Sequence, residues 1–147
     1  MGGEPWFYFV PYQADINSAL QALRRREFEA GRYNPVIALP EFPVDAEARG
    51  PGAQHASIDE AIEAADADGT RSILDIDRVA DEPDYGAVTP VSEEDLIGLF
   101  GTSTPTREMI ESNEDLFDAI DRGQGVYIVA YRDGRPSEIF FAGYSFD

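Results

Sequence analysis

Two runs rich in Val, Ile, Tyr and Phe, Gly125 to Tyr131 and Pro136 to Phe146, flank the dipeptide Asp133-Gly134. Asp-Gly accepts the positive φ angles of a type I′ turn, whose twist suits two paired strands, so this stretch predicts a C-terminal β-hairpin. A two-residue turn pairs Arg132 with Arg135. Counting back from it sets Ile128 opposite Ile139, Val126 opposite Phe141 and Tyr127 opposite Phe140. Both faces of that hairpin are apolar, which requires a place inside a sheet with cover on each side. Trp6 to Val10, bounded by Pro5 and Pro11, has the same unbroken hydrophobicity and is expected to lie beside the hairpin.

Helix signals fill the middle of the chain. Asp15 and Gly31 read as the N-cap and C′ residues of a helix to about Ala30, with Ile16, Ala19, Leu20, Leu23 and Ala30 on one stripe. Glu27 falls in the middle of that stripe. It either pairs with an arginine, Arg24 being the nearest candidate, or has its pKa raised by desolvation, or leaves the core with the helix end; a solvated Glu27 is expected. The triplet Arg24-Arg25-Arg26 is expected to pair within the chain.

Residues 40–56 read as a flexible loop rich in Pro, Gly, Ala and acids, and they carry His55, the only histidine. With no orienting carboxylate or nucleophile motif in view, it reads as an exposed loop histidine and not as a general base. Ser57-Ile-Asp-Glu60 opens a short helix, and Ser72 to Ile76 alternates like a strand with Leu74 and Ile76 on one face. Ser92 to Phe100 forms another helix. A last one runs from Thr104 to Arg122, with a break expected at Ser112-Asn113. The chain is therefore expected to be one α+β domain over residues 1–147. Its sheet should be mostly antiparallel, with four or more strands including the hairpin, and about four helices should pack on it.

Composition removes several classes of function. At 147 residues a single core is large enough without covalent staples. The chain has no cysteine, which removes disulfides, thiolate metal sites and cysteine nucleophiles. All 11 basic residues are arginine, so a P-loop lysine, a Schiff-base lysine and a Ser-Lys pair are excluded too. No cofactor is expected. The 29 acidic residues give a net charge of −18, which argues against nucleic acid or an anionic membrane as partner. Residues 1–10 lack the basic flank and cleavage pattern of a signal peptide, and no apolar run reaches the roughly 20 residues of a membrane span, so a soluble cytoplasmic protein is expected.

The acidity itself has two explanations. It is either an adaptation to high salt, or a surface offered to a basic partner such as a nuclease, a toxin or a DNA-binding protein. A non-enzymatic acidic interaction module of inhibitor, immunity or DNA-mimic type is the expected function. Its contact residues would be the outward acids Glu111, Glu114, Asp115, Asp118 and Asp121. The alternative is a small metal-assisted hydrolase that gathers a hard divalent cation on Asp75, Asp77, Asp81, Glu82 and Asp84, although this segment lacks the glycine and terminal glutamate of an EF-hand loop. A housekeeping binding domain of a salt-adapted organism is the third reading.

Overall fold

The computed structural model describes residues 5–37, 49–65 and 69–145. Its sheet has the strand order β1-β5-β4-β3-β2, built from β1 (Pro5–Pro11), β2 (Arg78–Val79), β3 (Ala87–Pro90), β4 (Gly125–Arg132) and β5 (Arg135–Tyr144). The helices are α1 (Ile16–Ala30), α2 (Ile58–Ala65), α3 (Glu93–Phe100) and α4 (Arg107–Glu111). The fold is α+β as expected, but the sheet is mixed. β1 and β4 run antiparallel to β5, whereas β3 runs parallel to both β4 and β2. No helix among the described residues is long and apolar enough to cross a membrane.

The hairpin closes on its Asp-Gly turn, with φ of 53° at Asp133 and 78° at Gly134 and Arg132 paired with Arg135. Beyond that pair the register departs from expectation. Tyr131 faces Pro136 and Ala130 faces Glu138, so Ser137 is an extra, bulged residue. The fixed φ of proline, about −65°, suits a bulge better than the roughly −140° of an antiparallel strand. As a result Ile128 lies opposite Phe140 and Tyr127 opposite Phe141, which overturns the three predicted pairings.

The slip exchanges faces. Ile139 and Phe141 join Trp6, Tyr8, Val10, Leu20, Leu23 and Val88 in the core beneath α1. Ile128, Phe140 and Ala142 pack with Ile110, Leu116 and Ile120 on the opposite face, which also takes Leu96, Leu99 and Phe100 of α3. The sheet is thus covered on both sides, as two-sided apolar strands require.

β1 takes its expected place beside the hairpin. Its Trp6 ring occupies space that two glycines leave open. A Cβ on Gly143 would collide with that ring and with the Gln124 carbonyl, and one on Gly125 would stand 2.9 Å from the ring.

Two other expectations change. Ser72 to Ile76 is not a strand but a 3-10 turn over Ile73–Asp75, opened by the Ser72 hydroxyl accepting from the Leu74 N–H at 3.2 Å. Ile73, Leu74 and Ile76 are all buried, so no face alternates. The helix expected over 104–122 breaks at Ser112-Asn113 as expected, its first part ending at Glu111, but the part beyond the break is a 3-10 turn and not an α-helix. Asn113 accepts from the N–H groups of Asp115 (2.9 Å) and Leu116 (3.0 Å) and donates to the Leu99 carbonyl (2.9 Å), which ends one segment and starts a 3-10 turn over Leu116–Ala119. Asn and Asp side chains that bond nearby backbone in this way compete with helix continuation.

Candidate functional site

The end of α1 shapes a buried polar hub. Gly31 adopts φ 73°, and the N–H groups of Gly31 and Arg32 return to the carbonyls of Phe28 and Glu27, each at 3.1 Å. This is a Schellman closure, and it carries Arg32 back over the last helical turn. The Arg32 guanidinium grips Glu27 with two bonds, Nε to Oε1 at 2.9 Å and Nη2 to Oε2 at 2.6 Å. Arg26 Nε adds a third to Oε2 at 2.9 Å. Glu27 is 1% exposed, so the expectation of a solvated carboxylate is overturned. Arg24 is not its partner and donates to Gln21 Oε1 at 2.8 Å. Beside the pair, the buried Tyr8 hydroxyl accepts from the Ile73 N–H at 3.3 Å. Burial, reinforced by the Glu27 charge, pushes the Tyr8 phenol well above its ordinary range.

From Arg32 the chain passes directly against the 69–75 segment. Asn34 donates its N–H to the Thr70 carbonyl (2.8 Å) and its Nδ2 to the Gly69 carbonyl (2.9 Å). The Thr70 and Ser72 hydroxyls bond each other at 2.8 Å, and the Thr70 N–H donates to Asp75 Oδ1 at 2.7 Å. Asp75 Oδ2 is buried with no hydrogen-bond partner among the described residues. Burial raises the Asp75 pKa to about 6, against the lowering effect of the Thr70 hydrogen bonds and of Arg71.

A raised carboxyl pKa means that the folded protein holds this proton more tightly than the unfolded chain does. The associated stability is full below the ordinary value of 3.8 and is lost as pH climbs through about 6. Asp75→Asn keeps the shape and removes the charge. It should gain on the wild type by on the order of 3 kcal/mol between about pH 4 and about pH 7.5, read from urea unfolding at each pH. A difference that does not change with pH would put this carboxyl in solvent.

His55 is not an exposed loop residue. Its Nδ1 lies 2.7 Å from the hydroxyl of the fully buried Tyr33, and the two rings are 5.7 Å apart. The Gly52 N–H donates to the Ala30 carbonyl at 2.9 Å, so this described part of the loop sits on the end of α1. Residues 40–48 of the expected flexible loop lie outside the described residues.

The hub therefore gathers Glu27, His55 and Asp75 from distant parts of the sequence. It adds Tyr8, Arg32, Tyr33, Thr70 and Ser72, which sequence reasoning did not select. Gly31 as a C′ residue was the available signal for Arg32, since a Schellman closure returns the following residue to the helix. Both Glu27 oxygens are occupied by guanidinium donors, and the Thr70 and Ser72 hydroxyls are engaged with each other. Chemically this arrangement locks the end of α1 to the 69–75 segment.

The acidic residues lie elsewhere. Glu111, Glu114, Asp115, Asp118 and Asp121 are all exposed, although Glu111 is drawn to Arg107 at 3.5 Å. Asp77, Asp81, Glu82 and Asp84 are exposed too, while Asp75 is buried away from them in the hub. Arg78 holds Asp77 (3.0 Å) and Asp84 (2.6 Å). Among the described residues no three His, Cys, Asp or Glu side chains come together as a metal site.

The two acidic segments meet through the backbone. The Gly86 N–H donates to the Gly123 carbonyl at 2.9 Å, and each neighbourhood is held by its own turn, Ala87 N–H to Asp84 and Gln124 N–H to Asp121, each at 3.2 Å. Tyr85 stands beside this junction and is 63% exposed. Fold and sites together define an α+β domain with helices on both faces of a mixed sheet, a charged lock inside and an acidic margin outside. No protein-family model, curated protein or solved structure matches the chain.

Proposed function

We propose that the protein is a non-enzymatic interaction module that docks a basic partner on the acidic margin where residues 81–86 meet residues 118–123. The supporting observation is the Gly86 to Gly123 hydrogen bond, which brings the turn that carries Asp84 and the exposed Tyr85 against the turn that carries Asp121. Acids concentrated in one place focus the field and speed encounter with a basic surface, and an exposed tyrosine supplies the amphipathic anchor that interfaces favour. The inhibitor, immunity and DNA-mimic types all use this chemistry.

Position can be separated from total charge with two triple variants that each remove three of the 29 acidic charges. Asp81→Asn/Asp118→Asn/Asp121→Asn alters the margin, and Glu29→Gln/Asp59→Asn/Glu63→Gln alters the exposed sides of α1 and α2. With a nona-arginine peptide as the probe, calorimetric titration at low salt should show roughly tenfold weaker binding for the first triple and less than about a twofold change for the second. Equal losses would mean that the acidity is spread for solubility in salt, and the docking reading would fall.

A further inference from the structure

Among the described residues β1 is an edge strand of the sheet, and its outer edge has a symmetric pattern. The Tyr12 N–H donates to the Ser137 carbonyl at 3.1 Å, in the same antiparallel register that pairs Val10 with Ile139, Tyr8 with Phe141 and Trp6 with Gly143. Hydrogen-bonded pairs alternate along an antiparallel ladder, so the even residues of β1 bond β5 and the odd ones turn their backbone groups outward. The outward set is Pro5, Phe7, Phe9 and Pro11. Two donors flank Tyr8 at equal distance, and beyond them two prolines, which have no donor, again flank it at equal distance. Turned through a two-fold axis at Tyr8, the edge matches itself. Phe7 meets Phe9 of the second copy in a pair that exchanges both hydrogen bonds, and Pro5 meets Pro11 where neither has an N–H to lose.

The surroundings suit this occupant. Pro5 to Pro11 contains no charged residue in a chain of charge −18, which keeps carboxylates out of the paired strands themselves. Phe7 is 50% exposed despite its aromatic contacts with Phe117 and Phe140, and it would be covered by Phe9 of the second copy. The prolines end the pairing after one closed contact, and the opposite edge, β2, is only two residues long. We infer that β1 pairs antiparallel with β1 of a second copy about a two-fold axis at Tyr8, giving one continuous sheet across a closed dimer.

Sedimentation of the full chain from about 10 µM to about 1 mM, at about 0.1 M and about 0.5 M NaCl, tests the pairing. The expected result is reversible association to twice the 16.2 kDa monomer mass, strengthened by salt because screening removes like-charge repulsion. Phe7→Pro removes one outward donor and one covering ring but none of the bonds to β5, so it should weaken dimerisation at least tenfold with an unchanged circular dichroism spectrum. Should that variant misfold, Phe7→Glu keeps the backbone donor, sets carboxylates into the contact and must give the same loss. Ile97→Ser, at another exposed apolar side chain, should leave dimerisation unchanged. A monomer under all conditions overturns the inference, as does a dimer indifferent to both Phe7 variants. Association that weakens with salt also overturns it, since it would mean contact between the Arg132–Arg135 hairpin tip and acidic surface.

Discussion

Glu27→Ala is expected to lower the unfolding free energy by about 3–5 kcal/mol, the penalty for removing one member of a buried ion pair. In a chain of this size that corresponds to a fall in melting temperature on the order of 10 °C. The size of the effect comes from what remains. Arg32 is only 8% exposed, and both it and Arg26 aim donors at the Glu27 oxygens. Without the carboxylate, the buried Arg32 guanidinium faces a neutral gap in poorly hydrated surroundings, while the Arg26 side chain, 40% exposed, loses one bond. Replacing the pair with apolar residues of similar length, Glu27→Leu with Arg32→Met, should recover most of the loss, because desolvation of the charges offsets much of their attraction. Urea unfolding of the two single variants and the double variant gives the coupling directly. A loss below about 1 kcal/mol for Glu27→Ala would return this residue to the solvated helix end that the sequence predicts.

Trp6→Ala should be equally severe, at about 3–5 kcal/mol, and here a second substitution reveals the cause. Gly143→Ala alone is expected to cost about 1–3 kcal/mol, since its Cβ enters the space of the Trp6 ring and of the Gln124 carbonyl. Once the indole is gone, two of the three close approaches are relieved and only the one to the Gln124 carbonyl remains. Gly143→Ala should then cost much less in the Trp6→Ala background, a coupling well beyond the ~0.5 kcal/mol expected of independent sites. Additive losses would show that Gly143 is required by its backbone and not by the tryptophan. Gly125→Ala, whose Cβ would stand 2.9 Å from the same ring, should follow the same pattern less strongly.

The strongest local signals carried the fold a long way. Asp133-Gly134 determined the turn, and matched two-sided hydrophobicity placed β1 beside β5. The pairing behind the turn was lost to Pro136, because a single bulged residue reverses which side chains share a face. β2 and β3 escaped notice because they are two and four residues long and owe their extension to neighbours, not to a periodic pattern. Of the hub, Glu27 was visible as a carboxylate on an apolar stripe. Its burial was not, since that depends on Arg32 returning through a backbone turn. Asp75 resembled its acidic neighbours in composition, and only the 3-10 turn separates it from them. The exposed acids were legible as exposed. Their meeting at Gly86 and Gly123 is tertiary and leaves no local trace.

The strand order also bears on how the chain is made. Of the five described strands β1 is made first, yet its partner β5 is made last, and Trp6 finds its glycine-lined seat only when residue 143 arrives. Until β5 is made, this uncharged aromatic strand lacks its sheet partner, and it is the kind of segment that nascent polypeptides bury against holdases or against one another. Closure of the sheet therefore waits for β5, and a chain truncated before β5 would lack the strand that pairs with β1.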